Sequence, residues 1–328
     1  PGTPPRSTYV AAVDLVAGQA YTLSGAVSRL SWVTPDRLDA DMAAAVAAAR
    51  SASTAVVVVG DGQESEGADR LDLALPAAQD RLVEEVAAAN PRTVVVVDAG
   101  GPVLMPWLDH VAAVVDAWYP GERDGSALAE VLFGRVDPSG HLPVTFPRST
   151  VSDPVPSPAQ FPGQGGEVSY REGVDVGYRW YDATGTPPLF PFGFGLSYTR
   201  FRFGAPSVST SSGAGGPEAT VRVPVRNVGR RAGADVVQLY LGEPAASGEP
   251  PRQLEAFRRV VLRPGQSVPV GFTLRGRQLA AYDPAVGKWR IDRGRYQVFV
   301  GDASALAELP ARSSFTLARS ATVPDRPG

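Results

Sequence analysis

A chain of 328 residues, 44% hydrophobic and 20% charged, has the composition of a globular protein large enough for two domains and a good core. Its net charge of −3 offers no basic footprint for nucleic acid, and its longest apolar runs fall far short of a membrane span. Cysteine is absent and only two histidines occur, His110 and His141, so disulfides, thiolate metal sites and a histidine-rich metal centre are not expected.

No cofactor is expected either. Of 31 basic residues only Lys288 is lysine, and the arginines are spread along the chain, which reads as genomic base-composition bias. The first residues carry no signal peptide, and the chain reads as beginning in mid-architecture.

Residues 9–33 alternate weakly and read as short strands. At Thr34-Pro35 a helix begins, with Thr34 as N-cap and Pro35 at the first helical position. Leu38, Met42, Val46 and Ala49 then form one apolar stripe. The pattern continues as strand 54–59, helix 76–90, strand 93–98, a short segment around 103–108, strand 111–119 and helix 126–133, closed by Gly134. Strand and helix in turn predict βαβ units and a parallel sheet. Three parallel strands are few for a free-standing sheet, so further strands are expected upstream.

Residues 135–200 change character. Prolines at 138, 143, 147, 154, 156, 158 and 162 exclude long helices. Aromatics are dense from Tyr170 to Tyr198, which predicts an ordered wrapping loop rather than a flexible linker. After residue 201 the period becomes two: Val221, Val223 and Val225, then Val268, Val270, Phe272 and Leu274, with turns at Pro264-Gly265 and Arg293-Gly294. That is the pattern of an antiparallel β-sandwich.

The run Val56–Val59 is apolar at every position, which predicts a strand buried on both faces. It feeds a glycine-flanked loop holding Asp61, Glu64, Glu66 and Asp69 within nine residues. In open α/β sheets the loop leaving the carboxyl end of such a strand is where ligands sit. Gly60-x-Gly62 invites a dinucleotide reading, but Gly67 arrives too late for the third glycine and Asp98 lies beyond the expected acidic position. By default a loop carboxylate is a solvated surface group.

An ordered succession of motifs narrows this. Ser65-Glu66-Gly67-Ala68-Asp69-Arg70, Leu73-Ala74-Leu75-Pro76, Trp118-Tyr119-Pro120-Gly121, Gly134–Gly140, Leu142–Pro147, Val176–Arg179 and Phe192–Thr199 resemble the second domain of glycoside hydrolase family 3 enzymes. Val236–Tyr240 and Leu262–Gly265 resemble that family's fibronectin type III-like domain. Leu15–Tyr21 and Arg29–Trp32 resemble the end of an inserted protective-antigen-like carbohydrate-binding domain. The expected fold class is α/β plus all-β: a partial parallel-sheet α/β sandwich followed by a fibronectin type III-like β-sandwich. Its expected divisions are the inserted-domain end (1–34), the α/β domain (35–148), the wrapping loop (149–200), the sandwich (201–317) and a tail (318–328).

The resemblance implies retaining hydrolysis of non-reducing-end β-glycosides, with β-glucosides foremost. Such chemistry needs two carboxyl groups about 5–5.5 Å apart, a nucleophile and an acid that later acts as base. By the resemblance the nucleophile belongs to an N-terminal barrel that this chain lacks, so the barrel is an expected partner. The general acid/base falls on Glu66, with Glu64 as its rival. Gln63, Ser65, Asp69 and Arg70 are the candidate substrate-binding residues, although Gln63 and Ser65 also suit loop shaping. Asp69 and Arg70 suit an ion pair or clamp; pairing Arg70 with Asp69 or another acid would keep its charge off Glu66. No metal site, nucleic-acid partner or membrane association is expected, and the implied location is secreted or periplasmic. The reading from a different class is a non-catalytic carbohydrate-binding or interaction module.

Overall fold

The computed structural model describes residues 19, 33–61, 70, 72–76, 78–213 and 216–323. Apart from Gln19 and Val33, the short strands expected over 9–33 lie outside the described residues. The chain divides into two compact units, Pro1–Asp124 and Gly125–Gly328.

In the first unit, α1 spans Pro35–Ser51. Thr34 caps it, its Oγ1 accepting the Arg37 amide at 3.4 Å, and Pro35 fits the first turn because no helical N–H is needed there. Met42 and Ala49 of the predicted stripe are buried. Helix α2, Gln79–Ala89, buries Val83, Val86 and Ala87 and packs on α1. The Asn90 side chain links the two helix ends, donating from Nδ2 to the carbonyls of Ala49 and Ala52, each at 3.0 Å.

Strands β1 (Ala55–Gly60), β2 (Thr93–Asp98) and β3 (Ala113–Asp116) form a parallel sheet in that order. The pairs Val57↔Val95 and Val96↔Val115 set the register. One expectation is corrected here. Val57 and Val59 are buried, but Val56 and Val58 on the opposite face of β1 are 50% and 60% exposed. An apolar run records fitness for burial; among the described residues, β1 is covered on one face only.

Helix α3, Asp124–Leu132, carries the chain into the second unit, and Gly134 closes it at a φ of 68°. The Pro-rich segment holds one short helix, α4 (Tyr178–Thr184), bracketed by Gly177 and Gly185 at positive φ. Its aromatics pack as a series: Phe146 edge-on to Phe190, Phe190 stacked on Phe194 and Tyr178 stacked on Phe192, with centroids 6.2, 5.3 and 5.2 Å apart. Tyr170 is exposed.

The antiparallel part uses β4 (Phe201–Phe203), β5 (Ser207–Gly213), β6 (Gly216–Asn227), β7 (Gly233–Gly242), β8 (Gln253–Leu262), β9 (Ser267–Arg275), β10 (Ala281–Asp283), β11 (Lys288–Ile291), β12 (Gly294–Gly301), β13 (Ala311–Leu317) and β14 (Ala321–Thr322). One sheet runs β13-β12-β7-β8; the other centres on β6, which pairs with β4, β5 and β9. A small sheet, β10-β11-β14, completes the set. The alternating valines of β6 meet Leu239 and Leu241 of β7 and Phe272 and Leu274 of β9 in one core. Alternation in sequence thus becomes the two inner faces of a sandwich.

Asn227, fully buried at the end of β6, joins three turns. Its Oδ1 accepts from Thr199 Oγ1 at 2.6 Å and from the Gly229 amide at 3.0 Å, while Nδ2 donates to the carbonyls of Arg231 and Leu262.

Candidate active-site loop

The carboxyl end of β1 is where the chain leaves the sheet. A Cβ at Gly60 would lie 2.3 Å from the Asp98 carbonyl oxygen of β2, so only glycine allows the approach. The side-chain amide of Gln79 closes the strand end. Its Oε1 accepts the Gly60 amide at 2.7 Å, and its Nε2 donates to the Gly60 carbonyl at 2.9 Å and the Pro76 carbonyl at 3.1 Å. That use of Pro76 and Gln79 explains why α2 starts at Gln79 rather than at the expected Pro76.

Asp61 follows, buried, with its amide donating to the Asp98 carbonyl at 3.2 Å. Its Oδ2 lies 2.7 Å from Arg70 Nε, in an ion pair whose side chains are 4% and 14% exposed. Arg70 also donates to the Pro102 carbonyl at 3.1 Å, and Tyr119 donates its hydroxyl to the Asp61 carbonyl at 3.1 Å. Asp61 and Arg70 are therefore tied to residues that follow β2 and β3. Arg70 stands in the clamp arrangement, with Asp61 as an acid that the sequence left unnamed. Glu66, its rival Glu64, and Gln63, Ser65 and Asp69 lie outside the described residues.

Three further acids line the same edge of the sheet and were not singled out as site residues by the sequence: Asp98, Asp116 and Asp124. Each has a buried carboxyl oxygen with no hydrogen-bond partner among the described residues. Burial pushes the Asp116 carboxyl up to about 6, against a smaller opposing effect of the Trp118 amide. Asp98 is also raised, first by burial and then by the charge of Asp124. The only advance signal was position, since Asp98 and Asp116 each end a strand. Strand β3 stops at Asp116, short of the expected residue 119, because Trp118 turns at a φ of 55°. Among the described residues no group of three acids or histidines could hold a metal ion.

Residues 4–198 match the glycosyl hydrolase family 3 C-terminal domain, and residues 235–304 match a fibronectin type III-like domain. This chain belongs to glycosyl hydrolase family 3. The family 3 chain is 47% identical over 277 residues to a β-glucosidase of Rhizobium radiobacter, covering 82% of itself and 33% of that protein. It is 40% identical over 296 residues to thermostable β-glucosidase B of Acetivibrio thermocellus, covering 89% and 38% respectively. Among solved structures it resembles DesR, a β-glucosidase from Streptomyces venezuelae crystallised with D-glucose. That match has a TM-score of 0.80 and 41% identity, and spans 87% of this chain and 36% of DesR. The family 3 chain thus spans about a third of the length of the relatives it matches. Its α/β sheet and fibronectin type III-like sandwich are the fold class expected from sequence.

Proposed function

We propose that the protein acts as a retaining β-glycosidase on non-reducing-end β-glucosides, with Glu66 as general acid/base and the nucleophile supplied by an N-terminal barrel outside this chain. The observation that carries the reading is the joining of the two residues that flank positions 62–69: Asp61 and Arg70 form a buried ion pair at the carboxyl edge of the parallel sheet. Glu66 lies between these two residues in sequence. The β-glucosidase relatives, each about three times longer than the matched part, support the substrate class and the need for a second wall to the cleft.

In the first half-reaction the protonated carboxyl of Glu66 gives its proton to the glycosidic oxygen as the bond to the anomeric carbon breaks and the nucleophile's carboxylate bonds to that carbon. In the second half, the Glu66 carboxylate takes a proton from the water that releases the sugar. An acid in this role needs its pKa raised by burial or by nearby negative charge, and Asp61, Glu64 and Asp69 stand close to it in sequence. Arg70, held by Asp61 and the Pro102 carbonyl, supports the loop as a clamp. Asp69, Gln63 and Ser65 complete the loop, with sugar contact as their secondary role. We place the enzyme in a secreted or periplasmic location.

Glu66→Ala in the complete enzyme tests the assignment. Activity on poor leaving groups should fall by orders of magnitude, and azide should restore turnover by attacking the glycosyl-enzyme without general base help. Unchanged activity, or the same signature in Glu64→Ala instead, removes Glu66 from the role. Sugar affinity with no turnover in the complete protein would favour the binding-module reading.

A further inference from the structure

His141 lies where the Pro-rich segment meets the sandwich, with its side chain 11% exposed. Its Nδ1 is 2.5 Å from the Gly193 carbonyl oxygen and its Nε2 is 3.4 Å from Asp235 Oδ1 on β7. A carbonyl and a carboxylate only accept hydrogen bonds. A neutral imidazole has one N–H, so it serves one neighbour and turns a lone pair on the other. The imidazolium serves both.

Asp235 makes the same demand from its side. It is 4% exposed, its Oδ1 accepts the Val236 amide at 2.8 Å, and its Oδ2 has no hydrogen-bond partner among the described residues. A buried carboxylate so placed needs a compensating cation.

The surrounding charges are mixed. Asp302, just past β12, also acts on His141, and Glu308 acts on Asp302. Arg200 and Arg202 line the same cleft, of about 770 Å³, as His141, Asp235 and Asp302. Burial pulls the His141 pKa down, but the bonds to Asp235 and to the Gly193 carbonyl, with the charges of Asp235 and Asp302, outweigh it and leave the pKa raised. Asp302 is pushed up to about 6, by burial first and then by Asp235 and Glu308.

We propose that His141 is a proton-operated latch: charged, it fastens the backbone around Gly193 to Asp235 of the sandwich, and on losing its proton it lets that junction loosen. The contacts beside it do not titrate. Leu142 donates to Phe194 at 2.8 Å, Gly193 to Leu142 at 2.7 Å and Ser304 to Phe192 at 2.8 Å, all through backbone groups, and Gln238 Nε2 of β7 donates to the same Gly193 carbonyl at 3.1 Å. Release is therefore local. Because the folded pKa lies above the unfolded value of about 6.5, the latch contributes fully below that value and is lost as pH rises through the folded pKa.

Amide exchange of the full-length protein, followed by mass spectrometry and corrected for intrinsic rates, tests this. In the wild type, protection of peptides covering Leu142 and Gly193 should fall severalfold between pH 6 and 8.5. In His141→Gln, whose amide has donors on one end only, protection should be low at both ends of that range. In His141→Lys, which keeps a cation throughout, the pH step should vanish with protection retained. Wild-type protection unchanged across the range, or an equal pH step in either variant, overturns the proposal.

Discussion

Arg70 and Asp61 stand nine residues apart in sequence and 2.7 Å apart in space, in an ion pair whose side chains are 14% and 4% exposed. Removing one member of a buried pair leaves the other charge uncompensated, at a cost of about 3–5 kcal/mol. Arg70→Ala should lower the denaturant midpoint accordingly, while Arg70→Lys, which keeps the charge but loses the fork to Pro102, should cost less. In the complete enzyme, the proposed role of Glu66 predicts that Arg70→Ala reduces kcat more on poor leaving groups than on activated aryl glycosides. Equal losses on both substrates would place the pair outside the loop's positioning.

Gly60→Ala sets a methyl group 2.3 Å from the Asp98 carbonyl oxygen, and both partners are backbone of paired strands. Neither can rotate aside. Overpacking of this kind costs about 1–3 kcal/mol or more, so a lower melting temperature is expected. A melting temperature equal to the wild type's would mean that β1 and β2 separate easily at that end.

Two half-buried glutamates give the sandwich an alkaline weakness. Burial holds Glu243 at about 7, with Glu249 and Asp292 adding to it. Burial likewise holds Glu255 at about 8, with Glu243 adding and Arg179 opposing. Glu255 is the residue bulged out of β8, since Leu239 pairs with Ala256 while Tyr240 pairs with Leu254. Folded values above the unfolded one, about 4.3, mean that stability is complete below the unfolded pKa and is lost as pH rises through 7 to 8. Glu255→Gln should flatten the decline in melting temperature between pH 6 and 9. A decline as steep as the wild type's would exonerate the carboxyl.

Asn227→Ala removes an amide that meets four partners in the sandwich. Buried groups left without partners cost about 1–3 kcal/mol each. A loss of at least about 3 kcal/mol is expected by denaturant titration, and a loss under about 1 kcal/mol would mean that water replaces the side chain.

Where local chemistry decides an element, the sequence was readable. Thr34-Pro35 started α1 because an N-cap and a first-turn proline act within four residues. The valine runs gave the parallel strands and the alternating valines gave β6 and β9. Long-range contacts escaped. Pro76 looked like a helix start until Gln79 spent its amide on Gly60, nineteen residues back. The turn at Trp118 depends on a positive φ that a bulky residue does not advertise. At the site, the acids were evident from spacing, but the choice of Asp61 as partner for Arg70 depends on where the Pro102 carbonyl lies, and no periodicity encodes that.

The side-chain amide of Gln79 completes the end of β1, and the ion pair of Asp61 and Arg70 ties together the two residues that flank positions 62–69 in sequence. Once the two ends of a segment are held together, lengthening it costs little, only about 0.6 kcal/mol per doubling in the ideal case. Grafting a foreign segment between Asp61 and Arg70, with both residues kept, is therefore the engineering move that this frame tolerates best.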